Sequence, residues 1–246
     1  MALQRSQHDC FLLYQHLSRQ PALRTTAGTF FEGYVHDWFR LGGPFTAEPI
    51  VTSGTIPPSL EFETVKSGFS IPNYFTTPED LVSQVKASCG QGIEPTSVGT
   101  YFIPFSRNYE SVDALLFSDC HTLVLFQITL AKQHNIKGHG IKQLLKALPK
   151  TINNVQVVFV IPEGRRNEYS RSQNIPKASA ISPEDSKLEI NQFRLVFHDE
   201  DIQSVSVRCP VEMNEEEDKE EEEDKEEEED KEEEEDKEDE EEGIWY

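Results

Sequence analysis

The run VQVVFVI from Val155 to Ile161 is too apolar for a half-exposed strand, and it fits a strand buried on both faces of a sheet. Such a strand needs partners on each side and a layer above and below. The preceding residues supply them. Thr100–Phe105, Val112–Phe117 and Thr122–Leu130 are three further runs rich in Val, Ile, Leu and Phe, each bounded by turn formers. Ser118-Asp119-Cys120-His121 is a short polar link of the kind that closes a hairpin. Ile141, Leu144, Leu145 and Leu148 then recur at helical spacing. The order is hairpin, helix, strand, which predicts an α/β fold with a central mixed sheet flanked by helices. Val112–Phe117 is expected antiparallel to Thr122–Leu130, and Val155–Ile161 parallel to the latter through a helical crossover.

Two polar residues interrupt these runs: Asp113 at the start of one strand and Gln127 fourteen positions later in the next. A buried carboxylate is costly unless it is paired, hydrogen-bonded or bound to metal. Neighbouring antiparallel strands can set such side chains against each other. Asp, followed on the next strand by (Asp/Glu/Gln)-x-Lys, resembles the site pattern of restriction-endonuclease-like nucleases; here the second half reads Gln127-Ile128-Thr129. The resemblance implies a divalent cation, Mg²⁺, held by Asp113, Gln127 and the carbonyl of Ile128. The competing reading makes Asp113 a turn cap and Gln127 a satisfied core amide.

Charge divides the chain. Of 45 acidic and 23 basic residues, 25 acidic residues and 4 lysines fall between Glu212 and Glu242, which leaves 20 acidic and 19 basic residues elsewhere. The body is nearly neutral and the tail strongly anionic. Within the tail KEEEED repeats from 219 to 236 without an apolar residue, so a disordered acidic segment, 212–246, is expected after a single domain, 1–211. Such a tail is expected to compete with nucleic acid for basic patches on the body, or to act as a solvated appendage. The four cysteines are scattered, with no CxxC pair, which fits a reducing intracellular compartment. His134 and His139 lack the HExxH spacing of zinc proteases. Phe11-Leu12-Leu13-Tyr14 is soon broken by Gln15 and His16, so neither a signal peptide nor a membrane span is expected.

Residues 8–20 are expected to form a short amphipathic helix. The next runs from Gly28 to about Leu41, capped by Thr25 or Thr26 and stopped by Gly42-Gly43, with Phe31, Val35, Trp38 and Phe39 as its apolar face. Glu32 beside that face either pairs with His36 as surface support or points at the metal end of the sheet. Residues 44–75 are rich in Pro, Thr and Ser, with a strand expected at Leu60–Val65. Thr77-Pro78 starts a helix expected to reach Cys89. From Ala131 to Lys150 there is no acidic residue; Lys142, Lys146 and Lys150, four apart, are expected to share a helix face that either tracks a phosphate backbone or is simply solvated. Arg165, Arg166 and Arg171 fall in a loop read as a second phosphate contact. Phe193–Phe197 and Ile202–Val207 are read as a final strand pair.

Taken in order, AGTFFEGYVHDWFRLGG, FSRNYESVDALL, LVLFQITLAKQHNIKGHGIKQLLKALP and VQVVFVIP resemble the C-terminal nuclease-like domain of Crinkler effectors and the related retrotransposon-hot-spot (RHS) proteins, over roughly residues 10–210. The resemblance implies a restriction-endonuclease-like core, a metal-dependent endonuclease acting on DNA, and an intracellular, frequently nuclear, place of action. It assigns Glu32 to the helix carboxylate, Asp113 to the metal-binding aspartate and Gln127 to the second site position. Thr129 stands where the family has lysine, with Lys132 or Lys137 as the substitute cation. The family is often coupled to a P-loop ATPase; GxxxxGK[ST] is absent here, so that partner is expected in trans. Two alternatives stand beside the nuclease: a catalytically inactive module of the same fold that binds nucleic acid or a protein, and an acidic-tailed binder of basic proteins such as histones.

Overall fold

The computed structural model describes residues 13–50, 57–67, 72–86, 92–106, 109, 112–174 and 188–198. The chain divides into a unit of residues 1–208 and a second of 209–246, and every described residue lies in the first. The acidic tail and the strand expected at 202–207 therefore lie outside the described residues.

Among the described residues of the first unit are four helices and eight strands. The helices are α1 (13–18), α2 (Arg24–Arg40), α3 (Pro78–Val85) and α4 (Gly138–Ala147). The strands are β1 (Gly43–Pro49), β2 (Leu60–Thr64), β3 (Asn73–Phe75), β4 (Phe102–Pro104), β5 (Ala114–Phe117), β6 (Thr122–Ile128), β7 (Asn154–Pro162) and β8 (Glu189–Phe197). They form one mixed, curled sheet in the order β2-β1-β8-β7-β6-β5-β4-β3. β5 pairs antiparallel with β6, and β6 pairs parallel with β7 across α4, as the sequence predicts. β8 continues the parallel run beside β7 and then meets β1 antiparallel.

The central strands are buried on both sides because two apolar layers cover them. On one face, Phe31, Val35 and Phe39 of α2 pack over Ala114, Leu116, Val124, Phe126, Val158 and Val160. On the other, Leu81 and Val85 of α3 and Ile141 and Leu144 of α4 pack over Leu115, Phe117, Leu123, Leu125, Val157 and Phe159. The alternation of even and odd positions between two apolar layers explains why β6 is apolar at nearly every residue. Phe39 anchors the α2 layer, its ring centroid 4.7 Å from that of Phe126 and 5.0 Å from that of Tyr101.

Several boundaries differ from expectation. α2 begins at Arg24, directly after a 3-10 turn at Pro21–Leu23, so Thr25 and Thr26 lie within its first turn, and no side chain caps it. α3 ends at Val85, with Lys86 already extended, short of Cys89. Its start is as expected: the Thr77 side chain accepts from the Asp80 N–H. α4 stops at Ala147 because Leu148 precedes Pro149 and is extended; Lys150 therefore does not continue the helical row of Lys142 and Lys146. Gly42, at φ 76°, ends α2 in the left-handed region as a glycine stop should.

Candidate functional site

β4 is short and meets β5 only through Phe102 and Leu115, so the sheet opens where β5 begins. Asp113 is the residue at that opening. Its N–H donates to the Phe126 carbonyl at 3.0 Å, which continues the β5–β6 ladder. Its carboxylate then stands in for the next backbone acceptor: Oδ2 receives the Ile128 N–H at 2.6 Å and the side-chain amide of Gln127. Asp113 and Gln127 are thus neighbours across two antiparallel strands, in the register that places Ala114 against Phe126.

The other wall of the opening is α2. Thr29, Glu32, Gly33 and His36, together with Ile103, Phe105, Val112 and Asp113, line a cleft of about 450 Å³. Glu32 and Asp113 therefore reach one space from a helix and a strand. His36 sits between two partners: Nε2 is 3.6 Å from Glu32 Oε1, and Nδ1 is 3.0 Å from the hydroxyl of Tyr101. A proton on Nε2 facing the carboxylate leaves Nδ1 to accept the Tyr101 O–H.

Burial pushes the Asp113 carboxyl up to about 7, the Ile128 N–H opposes that rise, and the nearby Glu32 carboxylate adds to it. Burial also drives the Tyr101 hydroxyl well above its ordinary value, with Asp113 and Glu32 pushing in the same direction. Both shifts come chiefly from burial, with the neighbouring carboxylates adding to it. A cation at this position would offset the burial of Asp113 and hold it ionised.

Among the described residues no three His, Cys, Asp or Glu side chains cluster as metal ligands. That composition does not suit zinc. It is compatible with Mg²⁺, which uses one or two carboxylates and keeps several waters. Gln127 supplies the observation that bears on fit: its Oε1 is buried and has no hydrogen-bond partner among the described residues. An orphaned amide oxygen beside a carboxylate is the kind of hard donor Mg²⁺ accepts. The residues that would hold the ion are Asp113, Gln127 and the Ile128 carbonyl.

No protein-family model, curated protein or solved structure matches this chain.

Of the predicted positions, Glu32 and Asp113 line the cleft, Gln127 and Ile128 adjoin it through their bonds to Asp113 without lining it, and the rest do not converge on it. Thr129 is buried, takes the Ala131 N–H on its hydroxyl at 3.0 Å, and donates its own N–H to Val160. Lys132 lies 3.5 Å from Glu168, and neither it nor the exposed Lys137 lines the cleft. Lys142 and Lys146 are on α4, which covers the opposite sheet face from α2. Arg165 donates to both carboxylate oxygens of Glu168 at 2.8 Å, and Arg166 pairs with Glu48, so the segment is an ion-paired turn rather than a free basic loop. Arg171 is exposed. The residue behind the cleft that sequence reasoning misses is Tyr101, buried in the core and bonded to His36. Its partner His36 is 65 positions away, and only the fold brings them together.

Among the described residues no helix is long and apolar enough to cross a membrane.

Proposed function

We propose that the protein is a metal-dependent phosphodiester hydrolase of the restriction-endonuclease-like kind, acting on DNA. One observation carries this reading: Asp113, hydrogen-bonded to Gln127, and Glu32 of α2 face a common cleft at the open end of the sheet. The element order supports it. A helix, α2, precedes an antiparallel trio β4-β5-β6, and a second helix, α4, leads to a parallel strand, β7, in the plan that the resemblance to Crinkler and RHS nuclease domains implies. A nuclear place of action and an ATPase partner in trans belong to the same reading, and rest on that resemblance alone.

Asp113 and Gln127 provide the oxygen donors for Mg²⁺, which when bound would activate water and offset charge on the scissile phosphate. Ile128 fixes the Asp113 carboxylate by its N–H, so the donor oxygens are pre-positioned by the β6 backbone. Glu32 Oε1 stands on the facing wall, where it can receive a proton from a bound water, and His36, with its Nε2–H turned to that carboxylate, positions it. Among the described residues that line the cleft, His36 is the one with an imidazole, in a chain that places Thr129 at the lysine position.

Thr129 and Lys132 favour a second reading, a module that binds nucleic acid or a protein partner without cleaving. The first is locked in the sheet and the second is paired with Glu168. Nicking of supercoiled plasmid with Mg²⁺ or Mn²⁺, against EDTA, separates the two. Metal-dependent nicking that Asp113→Ala abolishes supports the hydrolase. Equal activity in the variant identifies contamination. DNA binding without nicking selects the second reading.

A further inference from the structure

A second cleft, of about 580 Å³, shares α2 as a wall with the one at Asp113. It lies between α1, the start of α2 and the turn that follows β7. Three arginines from three separate elements line it: Arg19 just after α1, Arg24 as the first residue of α2, and Arg165 in the turn. Leu130 and Pro162 form its floor. These follow or end the parallel strands β6 and β7, and the crevice outside the carboxyl ends of parallel strands is where open α/β sheets take ligands.

The charge of this cleft is positive. Arg19 and Arg24 are exposed and have no acidic partner among the described residues. Glu163, the acidic lining residue, is 3.3 Å from His198. Glu168, which holds Arg165, is shared with Lys132 at 3.5 Å. Three arginines thus line the cleft against one lining carboxylate, Glu163. The first turn of α2 contains no acidic residue and no side-chain cap, while its first N–H, that of Arg24, already donates to the Pro21 carbonyl. Guanidinium forks on several sides of one space match the several oxygens of a phosphate.

We propose that this cleft is a phosphate site, in which Arg19, Arg24 and Arg165 hold a backbone phosphate of the nucleic-acid strand whose scissile phosphate lies at Asp113. The identity of the ligand as a nucleic acid rests on the hydrolase reading. The two clefts share α2 as a wall, with Arg24 lining one and Glu32 the other. Eight residues of helix separate Arg24 from Glu32 by about 12 Å. Both clefts also lie at the same end of β6, since Ile128 bonds Asp113 and Leu130 lines the arginine cleft. The structure thus assigns the anchoring of the strand to α1 and α2, not to the lysines of α4 on the far sheet face.

The test measures binding of a fluorescent DNA oligonucleotide to the full chain in EDTA, so that cleavage plays no part. Arg19→Ala/Arg24→Ala should weaken binding about tenfold or more, and should lower the slope of log affinity against log salt by about 0.9 for each phosphate that is no longer neutralised. Lys142→Ala/Lys146→Ala removes the same charge from the opposite face and should have a much smaller effect. Arg19→Lys/Arg24→Lys keeps the charge and should recover only part of the affinity. Equal weakening by the arginine and lysine pairs, or no weakening by the arginine pair, overturns the proposal. Inorganic phosphate and a nucleoside monophosphate form a further arm. Arginine-dependent binding of these alone, with oligonucleotide affinity unchanged, overturns the strand anchor in favour of a small phosphate ligand. Plasmid nicking keeps the two readings apart. Arginine-dependent binding without nicking sinks the hydrolase and leaves the phosphate site standing. Nicking with affinity indifferent to Arg19 and Arg24 does the reverse.

Discussion

Replacing Asp113 by Asn should make the protein more stable at alkaline pH and no more stable at acid pH. In the folded chain burial, assisted by Glu32, lifts this carboxyl from the ordinary 3.8 to about 7. The folded value lies above the unfolded one, so the folded state keeps a proton that the unfolded chain releases between these limits. Below about pH 4 both states are protonated and the carboxyl has no effect. As pH rises toward 7 the folded state is progressively disfavoured, and beyond 7 the full penalty stands. A gap of roughly three units corresponds to about 4 kcal/mol at 1.36 kcal/mol per unit. Water in the open cleft screens the charge, so a measured difference of about 2 kcal/mol is expected. Asn keeps the shape, and its amide oxygen can still take the Ile128 N–H. Urea unfolding followed by circular dichroism at pH 4.5 and 8.5, for both proteins, reads the difference. The Asn variant should gain on the wild type only at the higher pH. Parallel stability profiles for the two would refute the account of a buried carboxylate under strain. If the site takes Mg²⁺, the ion should raise the wild-type midpoint at pH 8.5 and leave the variant unchanged, by about 2.7 kcal/mol when its concentration is a hundred times the dissociation constant.

Thr129→Lys should destabilise the fold by about 2–4 kcal/mol, because the hydroxyl is buried and a longer, charged side chain must enter a packed layer. A thermal melt checks this; an undiminished melt with new metal-dependent nicking would show that the cation fits after all. Gly42→Ala should destabilise by about 1–3 kcal/mol, since its φ is 76° and the new Cβ would meet the Lys66 backbone nitrogen at 2.7 Å. Gly28→Ala, in α2 with nothing within 4 Å of the added carbon, should instead stabilise by up to about 1 kcal/mol; the same melts compare the two.

The legible parts of the sequence are those whose environment is set by near neighbours. β5, β6 and β7 are buried on both faces and announce themselves as apolar runs. The Asp113–Gln127 pair is visible because a polar residue inside such a run demands a partner. β1 is not legible: Pro44 and Pro49 argue against a strand, and the segment becomes one only because it pairs with β2 on one side and β8 on the other. The length of β8 is hidden for a similar reason. Only Phe193–Phe197 has a strong apolar signal, while residues from Glu189 onward are strand because β7 offers them a parallel edge. The role of His36 depends on Tyr101, and the arginine cleft depends on three loops and helix ends that no local pattern links.

The position of β8 has a consequence for how the sheet is made. It is the last described strand in the chain, yet it sits inside the sheet, between β7 and β1. The hairpin of β1 and β2 comes early in the chain and pairs into the rest of the sheet through β8, across a register in which Glu48 faces Arg194 and forms an ion pair with it at 2.8 Å. Until residue 194 is available, the early hairpin lacks the β8 edge it pairs with, though Phe45 and Phe62 pack on Phe39 of α2 and Phe62 on Phe126 of β6. Closure of the sheet is therefore a late and non-local step, of the kind that sets the pace of folding. Arg194 acts as a latch in that step, since it also donates to the carbonyls of Arg166 and Tyr169 and so ties the hairpin to the turn beyond β7 in one motion.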